Sequence, residues 1–181
     1  MEETTVTIIG LMIAAIIMFI VPIIMIADRS DDISQLLVKT VTAEFVDDVI
    51  KTGEITNSRY QKFITALHSS GNTYEIDMEV KILDENTAKK FTTKEEIGKN
   101  TYYSIYTSQI EDIIGKSAEN TTNNLDGRLI LKQGDGISVT VRNSSATFSQ
   151  ALKSFYYSAQ GADIHIITAT ASGTVAIDGI T

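Results

Sequence analysis

From Thr4 to Ala27 the chain carries no charged side chain, and between Val6 and Ala27 Thr7 is the only polar one. A helix of about 22 residues at about 1.5 Å each spans roughly 33 Å, the thickness of a bilayer's hydrocarbon core. Buried core helices seldom run this long without a charge, so the segment reads as a transmembrane helix. A cleaved secretory signal fits badly. The apolar stretch is too long, no Lys or Arg precedes it, and Met25-Ile26-Ala27 lacks a small residue three places before a cut. The segment is therefore expected to stay in the mature protein as a single membrane anchor.

Setting this run aside changes what the composition means. The 43% hydrophobic content of the 181 residues resembles an ordinary globular balance, yet the apolar excess lies in the anchor. Of 23 Asp and Glu, only Glu2 and Glu3 precede the run, so the remaining 21 face 15 Lys and Arg, a net charge of −6. Neutralising phosphates needs clustered Lys and Arg, so no nucleic-acid partner is expected. The chain has no Cys and two His, which removes disulfides, thiolate metal sites and Cys nucleophiles and supplies a triad or His-rich centre poorly. No metal, cofactor or enzymatic activity is expected. The positive-inside count, Arg29 and Lys39 after the helix against none before it, favours a cytoplasmic domain. Against it stands a Cys-free domain with roughly one Ser or Thr in five residues, the composition of an exposed surface, and an extracellular domain is expected.

Three divisions follow: an anchor over 1–27, a stalk over 28–53 and an extracellular α+β domain over 54–181. In the anchor, Gly10, Ala14 and Ala15 are small enough to admit a neighbouring helix closely, and Pro22 should loosen or kink the helix around Met18 to Pro22. Val6, Ile8, Phe19 and Ile26 complete the apolar surface, which would meet membrane lipid or, in an assembly, other copies. Glu2 and Glu3 suit the positive helix end and could pair with a neighbouring subunit's amine, although ordinary interfacial acids explain them as well. Asp28-Arg29-Ser30-Asp31-Asp32 marks the water interface, with Ser30 or Asp31 able to cap a new helix. Stalk residues Ile33, Leu36, Leu37, Val41, Phe45, Val49 and Ile50 recur at helical spacing, and Ile33, Leu37, Val41, Phe45 and Val49 are expected to pack on the domain, with Gly53 ending the helix. Anchor and stalk together could form one rod of about 45 residues, roughly 70 Å.

Beyond the stalk, Thr56 is a helix N-cap, Tyr60, Phe63, Ile64 and Leu67 form that helix's apolar stripe, and Gly71-Asn72 closes it. Tyr74, Ile76, Met78, Val80 and Ile82 alternate with Glu75, Asp77, Glu79 and Lys81, a strand with one wet face. A loop is expected from Asp84 to Thr101 and another from Asn120 to Asn124. Tyr102 to Ile114 mixes strand-type residues with helical spacing and is expected as one short helix ending at Gly115. Arg128–Lys132 and Ile137–Arg142 flank Gly134-Asp135-Gly136 and read as a hairpin, with Ile137, Val139 and Val141 on one face. Ser145 or Thr147 should cap a helix with Phe148, Leu152, Phe155 and Tyr156 on its inner side, ending at Gly161, before a last strand over Asp163 to Ala171 that could continue past Gly173 to Ile177. This order predicts an α+β fold: a long N-terminal helix followed by a small antiparallel sheet packed on helices.

Three stretches carry a family likeness. They are Phe45-Val46-Asp47-Asp48-Val49 through Thr52-Gly53-Glu54-Ile55-Thr56 to Tyr60 and Phe63; Ser70-Gly71-Asn72-Thr73-Tyr74-Glu75-Ile76; and Gln133-Gly134-Asp135-Gly136-Ile137-Ser138-Val139-Thr140-Val141-Arg142-Asn143 with Thr147 after it. In them the chain resembles pilin-like membrane-anchored proteins of Gram-positive, clostridial-type bacteria, encoded beside tight-adherence (Tad) pilus and secretion machinery. The resemblance implies a structural subunit whose N-terminal helix is held in the membrane and then forms the core of an extracellular filament, with Tad-type assembly machinery as partner. Pilins usually carry a basic leader and a Glu a few residues into the mature helix; here Gly10 lies inside the apolar run and the nearby acids are Glu2 and Glu3.

Other candidates have plainer readings. His68 at a helix end suits the negative dipole end, and His165 sits between Ile164 and Ile166 on a strand. Asn123, Asn124, Asp126 and Asp135 lack calcium-loop spacing and suit turns. Glu75, Asp77 and Glu79 share a wet sheet face rather than forming a glycosidase pair. Asn120-Thr121-Thr122 and Asn143-Ser144-Ser145 match glycosylation sequons by composition alone.

Overall fold

Helix α1 runs unbroken from Glu2 to Thr52, 51 residues, or roughly 75 Å at the rise of an α-helix. The computed structural model describes residues 2–84, 101–115, 127–157 and 167–177. The expected restart at Ser30 or Asp31 does not occur. No Gly or Pro interrupts the turn after Ala27, and the Asp28 and Asp31 carboxylates accept from hydroxyls elsewhere in the fold instead of capping a new helix. Pro22 lies within this continuous helix. Gly53 ends α1 with φ +67°, its N–H donating to the Val49 carbonyl at 2.8 Å, the C′ role that its lack of a Cβ allows.

A three-residue strand, β1 (Glu54–Thr56), comes next and was not foreseen. It leads into α2 (Asn57–His68), whose N-cap is Thr56 as expected: its hydroxyl accepts from the Arg59 N–H at 3.3 Å. Tyr60, Phe63 and Leu67 are buried along one side of α2, and Phe63 stacks on Phe45 of α1 with ring centroids 4.4 Å apart. The chain then enters β2 (Tyr74–Asp84), β3 (Thr101–Tyr106), α3 (Thr107–Gly115), β4 (Arg128–Ile130), β5 (Gly136–Asn143), α4 (Phe148–Tyr157) and β6 (Thr168–Thr174).

Four strands form an antiparallel sheet in the order β3-β2-β5-β6. Side chains directly opposite one another in such a sheet lie on the same face. The rows Ile76, Val141, Ala169; Met78, Val139, Ala171; and Val80, Ile137, Gly173 therefore share the inner face, where α1 crosses β6. The β6 members of these rows are small. A Cβ added at Gly173 would meet the Cδ1 of Ile50, so the absence of a side chain there leaves room for that side chain of α1. The molecule is thus α+β: a long N-terminal helix followed by a small antiparallel sheet packed on helices.

Two further sequence expectations are corrected. Tyr102 to Ile114 is not one helix: Thr101–Tyr106 pairs with β2, and the helix begins at Thr107. The switch is held locally. Gln109 Oε1 accepts from the Tyr106 N–H at 3.1 Å, half of a capping box, and Thr107 Oγ1 accepts from the Met78 N–H at 2.7 Å. Nor do the strands around Gly134-Asp135-Gly136 form a hairpin. β4 pairs with β1 in a separate two-stranded sheet, and the Leu131 N–H donates to the Gly53 carbonyl at 2.8 Å. β5 already has β2 on one side and β6 on the other, so no edge is left for β4. The tight turn itself is present, with Gly134 at φ +97°. Of the loop expected over 84–101, the end residues Asp84 and Thr101 are paired strand residues of β2 and β3; its interior, the loop over 120–124, the helix end at Gly161 and the strand residues 163–166 lie outside the described residues.

Candidate functional site

The residues singled out for function lie on α1, whose two halves have different surroundings. The lower half is long and apolar enough to cross a membrane, with a mean hydropathy of 3.0 and none of its most apolar stretch buried. Val6, Ile8 and Phe19 are bare, and Ile26 is 70% exposed immediately before the domain begins. Ala14, Ala15 and Pro22 are exposed as well, and a Cβ built on Gly10 meets nothing within 4 Å. Glu3 is exposed, and its carbonyl accepts from the Thr7 hydroxyl at 2.8 Å; the Glu2 side chain lies outside the described residues.

Contact with the domain starts at the end of the apolar run. Ile24 is partly covered and Ala27 is 4% exposed. One turn further, Asp28 Oδ1 accepts from the Ser149 hydroxyl and Asp31 Oδ2 accepts from the Thr147 hydroxyl, the latter at 2.6 Å. Both donors belong to the start of α4. Its cap is reciprocal: the Thr147 N–H donates to Gln150 Oε1 at 2.9 Å, and the Gln150 N–H to Thr147 Oγ1 at 3.2 Å. Of the two expected caps, Thr147 is the one used. Phe148 does not face inward as expected; it is 66% exposed, because Thr147, Ser149 and Gln150 occupy the buried side of this turn. Leu152 is partly buried, and the side chains of Phe155 and Tyr156 lie outside the described residues.

Higher up, α1 buries Ser34, Val38, Thr42, Phe45, Val46 and Val49. The expected stalk stripe is therefore rotated: Phe45 and Val49 pack as predicted, Leu37 and Val41 are partly covered, and Ile33 faces away at 64% exposure. Ser34 and Thr42 were missed because an apolarity pattern skips hydroxyl residues. Thr42 is satisfied within the helix, its Oγ1 donating to the Val38 carbonyl at 2.6 Å, so it can be buried without an orphaned polar atom. Gln35 performs a related task at the sheet edge. Its amide donates to the Thr168 carbonyl at 2.6 Å and accepts from the Thr168 N–H at 3.0 Å, closing the open side of β6 as another strand would.

At the far end of the stalk, Arg59 ties the corner between α1, β1 and α2. Its guanidinium lies 2.9 Å from both Asp48 and Glu54 and donates to Thr52 Oγ1 at 3.1 Å. A groove of about 420 Å³ opens beside it between α1 and α2. On α2, the buried Tyr60 donates its hydroxyl to Glu111 Oε1 of α3 at 2.5 Å. Burial first, then that hydrogen bond and the carboxylate's charge, push the Tyr60 hydroxyl far above its ordinary value.

The remaining candidates do not converge. His68 is exposed in the last turn of α2, while His165, Asn123, Asn124 and Asp126 lie outside the described residues. Asp77 is paired with Arg142 at 2.6 Å and Glu79 accepts from Ser104 at 2.7 Å, both on the wet sheet face. Asp135 is buried and accepts from the N–H groups of Leu83 and Lys132, each at 2.8 Å. Asn143 uses its amide within the fold, accepting from the Ile167 N–H at 3.2 Å and donating to the Ser145 carbonyl at 2.8 Å. Among the described residues no three His, Asp or Glu are grouped to hold a metal ion. Comparisons of the chain with models of protein families, with curated proteins and with solved structures gave no match.

Proposed function

We propose that this protein is a structural, pilin-like subunit, anchored through the lower half of α1 with its α+β domain outside the cell. The observation that carries the reading is the division of a single continuous helix: its upper half is a wall of the domain, and its lower half is apolar and bare. Water does not tolerate such a surface, and lipid or neighbouring apolar helices do. Removed from the membrane together, copies of α1 would act as one another's apolar surroundings, packing closely at Gly10, Ala14 and Ala15, with Tad-type machinery as the agent of extraction. Stability of the domain on its stalk matters in this role, since a rigid helix must carry the domain from bilayer to filament.

Electron microscopy of sheared surface material, combined with N-terminal sequencing of the protein in it, tests this reading. Filaments that contain the chain, with Val6 to Ala27 protected from protease, are expected. Recovery of the protein solely as membrane monomers, in cells that express the assembly machinery, would replace a filament subunit with a non-polymerising anchored domain.

A further inference from the structure

We propose that α4 is a second contact with the membrane, its first turn lying on the bilayer surface with Phe148 entering the boundary between headgroups and acyl chains. The proposal rests on the reading of α1 as a membrane span. It follows from where the fold puts α4. Thr147 and Ser149, the neighbours of Phe148 on either side, bond to Asp31 and Asp28, and Asp28 is the residue directly after the apolar run. At about 1.5 Å per residue, Asp28 to Asp31 stand within roughly 6 Å of the end of the span. Interfacial helices bury their apolar sides to a depth of about 5–10 Å, so a side chain held at this height meets the lipid boundary.

The side chain held there is a large aromatic that the domain leaves 66% exposed while burying the small polar residues around it. The reciprocal cap between Thr147 and Gln150 and the two bonds to α1 fix its position, so little conformational freedom is lost on insertion. Arg29 is exposed at the same level, has no partner among the described residues, and offers a guanidinium to lipid phosphates. Lipid is the occupant these positions favour, since a span that ends at Ala27 brings the bilayer surface to Phe148 whatever else the protein binds. Together α1 and Phe148 would hold the domain at two points and limit its tilt on the membrane.

The chain has no Trp, so Phe148→Trp introduces a single Trp, which can be excited selectively over the seven Tyr, at an already exposed position. The full-length variant is reconstituted in phosphatidylcholine vesicles carrying nitroxide labels either near the headgroup or deep in the acyl chains, with Phe19→Trp as the reference within the span. Phe148→Trp should emit at shorter wavelength than a water-exposed Trp and be quenched several-fold more by the shallow label than by the deep one, with Phe19→Trp showing the reverse depth preference. If Phe148→Trp is quenched only by an aqueous quencher while Phe19→Trp responds to the deep label, the second contact is refuted and the span survives. If neither responds to a lipid label, both fall together.

Discussion

Asp135 is 2% exposed, yet its carboxylate is the acceptor for two backbone N–H groups, one in the β4–β5 connection and one at the end of β2. A side chain that joins a turn to a neighbouring strand fixes where β5 begins, and turn propensity alone had explained its presence in Gly134-Asp135-Gly136. Asp135→Ala leaves both donors without that acceptor and should lower stability by about 2–4 kcal/mol, measured by urea unfolding of the detergent-solubilised chain. Tyr60 makes the second residue-scale prediction. Its raised value means the native state holds the phenolic proton where the unfolded chain releases it near the ordinary value of about 10. Its contribution to stability is full below about pH 10 and declines as pH rises above that, an effect Tyr60→Phe should abolish in unfolding midpoints measured along an alkaline pH series. The motif Asp-Gly and the short reach from Asp135 to Lys132 belong to the local turn, but Leu83, the other partner of Asp135, and Glu111, the partner of Tyr60, lie 52 and 51 residues away and no local pattern names them.

At the scale of the element, α1 shows why periodicity finds a helix more reliably than its buried face. Ile33, Leu37, Val41, Phe45 and Val49 form a valid apolar stripe, but the sheet offers α1 a strip of small residues, Ala169, Ala171 and Gly173. Close approach to that strip buries Ser34, Val38 and Thr42 and turns Ile33 outward. Two substitutions separate the faces in the same unfolding measurement. Ile33→Ser should change stability by no more than about 0.5 kcal/mol, as expected for an exposed position. Phe45→Ala should cost about 3–5 kcal/mol, since it removes a buried ring stacked on Phe63. β4 and β5 make a related point: the turn between them is locally encoded, but strand pairing is settled by which edges remain free, and β5 has none to offer.

At the scale of the whole molecule, the core and the anchor occupy the same helix and meet only at its middle. Only the last turn of the apolar stretch, Ile24 and Ala27, is covered by the domain, so a chain beginning at Ile24 should stay soluble without detergent and unfold at the same urea midpoint as the full chain. A markedly lower midpoint would show that the lower half of α1 supports the fold. What the sequence by itself determined is what repeats locally: an uncharged run long enough for a bilayer, the alternation of β2, the Thr56 cap, and the glycine that stops α1. These depend on spacing and on residue chemistry within a few positions. Tertiary structure alone decided which face of α1 is buried, that β4 joins β1 rather than β5, and that Asp28 and Asp31 seat α4 at the end of the apolar run. Each of those is a competition between surfaces distant in the chain, and its outcome depends on how closely two elements can approach and which backbone edges are still unpaired.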